Sequence, residues 1–172
     1  LTLANLAAAA GGDYVVRVTN AAGSVTSRAA RLTVAALDPG RLINLSVRSI
    51  AGRNGLPLIV GFNVDGGAKS LLVRGVGPTL TAFQVANAVA DPTLKLYDGS
   101  ATPALLFEND DWGAAANAAS LPALFASVGA FALPTGSLDA ALAVTVRGSH
   151  TAHVNGKAAS AGVALVELYD AG

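Results

Sequence analysis

The stretch Leu58-Ile59-Val60-Gly61-Phe62-Asn63-Val64-Asp65 decides the fold. Leu58, Val60, Phe62 and Val64 fall on one side of an extended chain, and Gly61, Asn63 and Asp65 fall on the other. Apolar side chains recurring with a period of two are what a strand with one face in a core requires. The same alternation continues on both sides of this stretch. Ile43, Leu45 and Val47 alternate with Asn44, Ser46 and Arg48, and Leu94 and Leu96 with Lys95 and Tyr97. Leu142, Val144 and Val146 alternate with Ala143, Thr145 and Arg147. Nearer the start, Tyr14, Val16 and Val18 share a face opposite Arg17 and Thr19, and Arg31-Leu32-Thr33-Val34 repeats the pattern. Turn formers separate the runs: Asp38-Pro39-Gly40, Asn54-Gly55, Asp65-Gly66-Gly67, Asp98-Gly99, Pro134-Thr135-Gly136 and Asn155-Gly156. Many short strands punctuated in this way predict an all-β chain. The expected form is an antiparallel, jelly-roll-like β-sandwich over residues 37–172, with Ile43, Leu45, Val47, Val60, Phe62, Leu94, Leu96, Leu142, Val144 and Val146 facing inward. The alanine-rich stretch 114–128 predicts a short helix or an ordered loop, with Pro122 suited to a first helical turn.

Composition narrows the function classes. The 172 residues suffice for one ordinary domain or two small ones, and 52% are hydrophobic against 13% charged. Lys+Arg and Asp+Glu both number 11. That balance argues against a nucleic-acid partner, which needs a surplus of cations facing phosphates. It also leaves little repulsion between copies, so self-association is permitted. The chain has no cysteine, which removes disulfides, thiol catalysis and thiolate metal sites together. No apolar run is long enough to span a membrane as a helix. Without a methionine or a charged leader, the sequence is expected to be a processed or partial chain, with any signal peptide already removed.

Two resemblances rest on particular residues. Leu1-Thr2-Leu3-Ala4-Asn5-Leu6 resembles strand E of an immunoglobulin-like domain, and Gly12-Asp13-Tyr14-Val15-Val16 resembles its E–F corner. There a tyrosine stands two residues before the position of the strand-F cysteine, held here by Val16. Asn20-Ala21-Ala22-Gly23-Ser24 is similar to the F–G hairpin and residues 25–34 to strand G, while Ala10 replaces the usual acidic residue of the corner. The resemblance implies an incomplete immunoglobulin-like unit over residues 1–36, lacking strands A to D. The remainder resembles a β-sandwich module that follows such repeats in secreted bacterial proteins, and its later half is similar to pre-peptidase C-terminal-type domains. The residues that carry this likeness include Val73-Arg74-Gly75-Val76-Gly77-Pro78-Thr79-Leu80, Asp91-Pro92-Thr93-Leu94-Lys95-Leu96-Tyr97-Asp98 and Gly162-Val163-Ala164-Leu165-Val166-Glu167-Leu168-Tyr169-Asp170. It implies an extracellular, non-catalytic role and names no ligand.

Candidate chemistry is sparse. Glu108-Asn109-Asp110-Asp111-Trp112 is the densest acidic cluster. Asn109, Asp110 and Asp111, joined by Asp98 across a hairpin, could offer oxygen ligands to a structural Ca²⁺. The alternative is a solvated turn whose carboxylates cap backbone amides. His150 and His153, three apart on a strand, fall on opposite faces and cannot share a metal. No catalytic residues are assigned, because no nucleophile–base pair can be assembled from two such histidines. Gly75-Val76-Gly77-Pro78-Thr79 reads as a strand ending, since no lysine follows to make a phosphate loop. Trp112 and the tyrosines offer faces for sugar stacking, although rings near strand ends more often complete a core.

The residues favour a structural role. A two- or three-stranded piece over 1–34 would leave Tyr14, Val16, Val18, Leu32 and Val34 as an apolar face with free edge amides, and something must cover them. The expected cover is a second copy, giving a self-assembling extracellular filament or matrix subunit; the other covers open to it are the chain's own second domain and the missing strands of a longer parent protein. The alternative is a carbohydrate-binding or adhesion module, accessory to a larger secreted protein, with cell-surface polysaccharide as its partner.

Overall fold

The computed structural model describes residues 8–34 and 41–172. The stretch likened to strand E and the turn Asp38-Pro39-Gly40 lie outside the described residues. The chain divides into two compact units, 1–41 and 42–172, so the break falls a few residues beyond the boundary expected from sequence.

The first unit holds β1 (Gly12–Tyr14), β2 (Arg17–Asn20), β3 (Gly23–Thr26) and β4 (Ala30–Leu32). A two-residue turn joins β2 to β3, with Asn20 opposite Gly23 and the Asn20 side-chain carbonyl accepting the Ala22 amide at 2.9 Å. Sequence alternation implied unbroken strands over 14–20 and 25–34, but both are interrupted. The Ser27 hydroxyl accepts the Val16 amide at 3.0 Å, and the Ser27 amide donates to the Val16 carbonyl at 2.9 Å. One serine side chain thus takes over a ladder position, and β1–β4 separates from β2–β3 as a second two-stranded sheet. The Tyr14 hydroxyl donates to the Ala10 carbonyl at 2.7 Å.

The second unit is an all-β sandwich built from one sheet. Its strands are β5 (Asn44–Ala51), β6 (Leu58–Val76), β7 (Pro92–Asp98), β8 (Leu105–Asn109), β9 (Ala140–Gly156) and β10 (Gly162–Asp170), with the short helix α1 (Leu121–Ser127) between β8 and β9. The order is β5-β10-β6-β9-β7-β8, and every neighbouring pair is antiparallel. A straight strand as long as β6 would span roughly 60 Å at about 3.3 Å per residue. Yet a Cβ added to Gly75, near one end of β6, would stand 2.9 Å from Val154, which pairs with Leu58 at the other end. The β6–β9 pair therefore folds back on itself. The fold is at the register break between Val64 and Lys69, where Gly66 (φ 75°) and Gly148 (φ 83°) take left-handed conformations that suit glycine. Asp65-Gly66-Gly67, read from sequence as a turn between strands, is a bulge within one strand.

Folding back makes two layers. One contains β5, β10, the second half of β6 and the first half of β9; the other contains the remaining halves, β7 and β8. Between them lie Val60, Leu71, Val73, Leu94, Leu96, Val144, Val146, Val154 and Val166, all buried, each large side chain contributing roughly 1.5–3 kcal/mol. Leu45, Val47, Phe62 and Leu142 are half-buried against this core. Ile43 departs from expectation, being 63% exposed. It precedes β5, beyond the last β5–β10 pair, where its carbonyl only accepts the Asp170 amide at 2.9 Å.

A second core covers the outside of the first layer. Leu72 and Val76 project there from β6 and meet Leu80, Trp112, Leu121, Phe125, Leu133 and Tyr169. The second half of β6 is thus buried on both faces, which accounts for the nearly unbroken apolar run Leu71–Val76. Helix α1 carries Pro122 in its first turn and turns Leu121 and Phe125 inward.

Candidate functional site

A charged residue inside an apolar run on a doubly buried strand must be paired. Arg74 is such a residue and is fully buried. Its Nε donates to Glu167 Oε2 at 2.9 Å, its Nη2 makes a short charged contact to the same oxygen, and its Nη1 donates to the Phe131 carbonyl at 2.6 Å. The guanidinium lies 4.2 Å from the Phe131 ring centroid and 5.1 Å from that of Phe125. The Tyr169 hydroxyl donates to the second Glu167 oxygen at 2.8 Å, and burial with that acceptor pushes the phenol up to about 12. Beside this network, buried Asp139 accepts the Gly77 amide at 2.8 Å and the Thr79 hydroxyl. Gly77 has no room for a side chain, because a Cβ would stand 2.3 Å from the Val89 carbonyl oxygen. The glycine-rich stretch is the strand ending read from sequence, pinned by Asp139. Both clusters are closed to solvent and hold the second core in register.

The open chemistry lies on the other layer. Strand β7 runs between β9 and β8, with Pro92 opposite Gly156 and Leu94 opposite Asn109. That register brings Asp91, Asp110 and the turn after β9 to one end of the layer. Lys157 opens this turn, its amide donating to the Asp91 carbonyl at 2.8 Å. Its ammonium lies 3.6 Å from Asp91 Oδ2 and bonds closely to Asp110 Oδ2. Ala158 (φ 51°) and Ala159 (φ 60°), both left-handed, hold the turn in place. Burial, then the neighbouring Asp110 carboxylate, raises the Asp91 pKa against the opposing pull of Lys157. The Asp110 hydrogen bond leads the effects that raise Lys157. The ammonium serves these carboxylates as a built-in cation.

Of the four residues expected to hold calcium, Asn109, Asp110 and Asp111 line one hollow and Asp98 is set apart from them. The β7–β8 hairpin forms, but its register carries Asp98 to the turn end while Asn109 stands opposite Leu94. Asp98 Oδ1 accepts the Ser100 hydroxyl at 2.7 Å and the Ala104 amide at 3.0 Å, so it caps the turn; these bonds, the hydroxyl first, lower its pKa. Asn109 spends its side chain on the Ala141 amide and the Asp111 carbonyl. Among the described residues no three His, Cys, Asp or Glu side chains form a metal-binding group.

The outer face of this layer carries a shallow groove of about 390 Å³, lined by Pro57, Thr93, Lys95, Tyr97, His153 and Asn155 together with the Lys157 turn. The Tyr97 and His153 rings are 4.6 Å apart and tilted by 45°. His153 Nε2 lies 3.1 Å from the Thr151 hydroxyl, and burial lowers the imidazole pKa, leaving the ring neutral at neutral pH. Across the Thr93–Lys95 ridge lies a second hollow of about 490 Å³, lined by Glu108, Asn109, Asp110, Asp111 and Ala114. His150 faces the other way, stacked on Phe62 at 5.6 Å, so the two histidines occupy opposite faces. Of the aromatic residues named from sequence, Trp112 and Tyr169 complete the second core and Tyr97 borders the groove.

The residues named for self-association separate into two groups. Val16 and Val18 are 66% and 65% exposed, whereas Tyr14, Leu32 and Val34 are half-buried. Sequence reading missed Val25, which pairs with Val18 across the hairpin and is 75% exposed. The chain matches no protein-family model, no curated protein and no solved structure. Among the described residues no helix is long and apolar enough to cross a membrane.

Proposed function

We propose that the chain is a non-catalytic, extracellular structural subunit that associates with further copies of itself through the β2–β3 hairpin. The observation that carries this reading is the valine cluster. Val18 and Val25 stand opposite each other in a two-stranded sheet, Val16 directly precedes its first strand, and each of the three is about two-thirds exposed or more. A two-stranded sheet is marginal by itself in water, and a contiguous apolar face on it favours a covering partner. Zero net charge lowers the electrostatic cost of stacking copies. If the hairpin docks on a different surface of the next copy, the contact is head-to-tail and propagates into a filament. The Tyr14–Ala10 hydrogen bond supports the likeness to an immunoglobulin E–F corner, whose tyrosine bonds backbone a few residues upstream. That likeness supports the extracellular setting. Sedimentation velocity over a range of concentrations, with negative-stain microscopy, tests the reading. Wild type is expected to grow with concentration, while Val18→Lys/Val25→Lys stays monomeric with an unchanged circular dichroism spectrum. A wild type that remains monomeric at millimolar concentration, or a double variant that assembles as before, overturns it.

A further inference from the structure

We propose that the groove beside Tyr97 and His153 binds a neutral polysaccharide chain. A sugar ring has an apolar C–H face and a rim of hydroxyls, so its site needs an open ring face bordered by hydrogen-bonding groups. The groove supplies both. The half-buried rings of Tyr97 and a neutral His153 line it, tilted by 45° to each other, and Thr93, Lys95 and Asn155 add hydrogen-bonding groups to the lining. The volume of about 390 Å³ falls within the range of small-molecule sites.

Charge selects against an anionic ligand. Lys95 lies 3.5 Å from Glu108, and Lys157 is held by Asp91 and Asp110. An incoming carboxylate or phosphate would have to displace a protein carboxylate from either ammonium. An extended peptide is also disfavoured. The groove lies on a sheet face, and the amides of β7 are engaged with β9 and β8, so no free edge is offered for strand addition. The second hollow across the Thr93–Lys95 ridge lengthens the surface beyond a single ring, which suits a chain of sugars better than a monosaccharide. This surface belongs to the 42–172 unit and is independent of the valine hairpin, so either proposal can fail without the other.

Affinity electrophoresis of the full chain through gels containing hydroxyethyl cellulose, xyloglucan, galactomannan or laminarin provides the test, with alginate as the anionic polymer. At least one neutral polymer is expected to retard the protein. Tyr97→Ala should weaken that retardation roughly tenfold, the scale of a lost ring contact. Tyr97→Phe, which keeps the ring face, should stay within about threefold of wild type. His153→Ala, a separate change to the same face, should also weaken binding and covers the case of Tyr97→Ala failing to fold. Retardation by alginate alone, by no neutral polymer, or undiminished in both Tyr97→Ala and His153→Ala overturns the proposal.

Discussion

Replacing Glu167 by Gln keeps the shape of the side chain and removes its charge, leaving Arg74 buried without a counter-ion. Breaking a buried pair from one side costs about 3–5 kcal/mol, because the surviving charge has lost its compensation. Here the Phe131 carbonyl and the Phe131 and Phe125 rings still face the guanidinium, so the lower end, about 3 kcal/mol, is expected. For a unit of this size that is roughly 10–15 °C in Tm. Trp112, the single tryptophan, packs edge-on to Phe125 at 5.8 Å in the same core, so its fluorescence through a urea titration reads the perturbed region directly. The double change Arg74→Met/Glu167→Leu removes both charges and should recover most of the loss, since apolar replacements of whole buried pairs are often neutral or stabilising. A loss below about 1 kcal/mol in the single variant, or a double variant no more stable than the single, would refute the reasoning.

Other expectations follow from the same geometry. Gly77→Ala forces a methyl group against the Val89 carbonyl and should cost at least about 1–3 kcal/mol, measured by urea denaturation. Ala159→Gly relieves a left-handed alanine and should stabilise by about 0.5–1 kcal/mol, read as a raised Tm. Asp91 binds its proton more tightly in the folded chain than its ordinary value of 3.8 allows in the unfolded one, so ionisation costs stability as pH rises. The stability of Asp91→Asn relative to wild type should therefore improve as pH rises through the raised folded value, compared with its difference below 3.8, in melting curves across pH. Asp98 has the opposite sign: its contribution is present above 3.8 and is lost as pH falls through its lowered folded value, a dependence that Asp98→Asn should abolish.

Local chemistry made much of this legible. The period-two pattern of Val60, Leu94, Leu96, Val144 and Val146 is set by water on one side and core on the other, and all five are buried. Pro122 marked the start of α1 for an equally local reason. What escaped depends on residues distant in sequence. Asp65-Gly66-Gly67 looks like a chain reversal, and only the pairing of β6 with β9, where Val64 meets Gly148, turns it into a bend within continuous strands. Asp98 looked close to Asn109 because hairpin formation was foreseeable, whereas its register was not. The Arg74–Glu167 pair left a usable signal: each charge sits in a run apolar on both strand faces, Leu71–Val76 and Val163–Leu168. A strand of that kind is buried twice over, so its ions require each other. The groove at Tyr97 and His153 left only the tyrosine ring as a hint, because ordinary polar outward positions become a site only when β7 and β9 lie side by side.

The bent β6–β9 pair also has a kinetic consequence. Leu58 pairs with Val154 and Gly75 with Ala140, so neither layer can exist until segments far apart in the chain have met. Entropy of loop closure is lost before any of that pairing is rewarded, which places such a topology among slow folders, in milliseconds to seconds. Because both layers own a half of each long strand, peeling one away frays the other. Amide protons at Val60 and Val73, at opposite ends of the bend, should exchange with solvent at the same opening free energy, as a single cooperative unit.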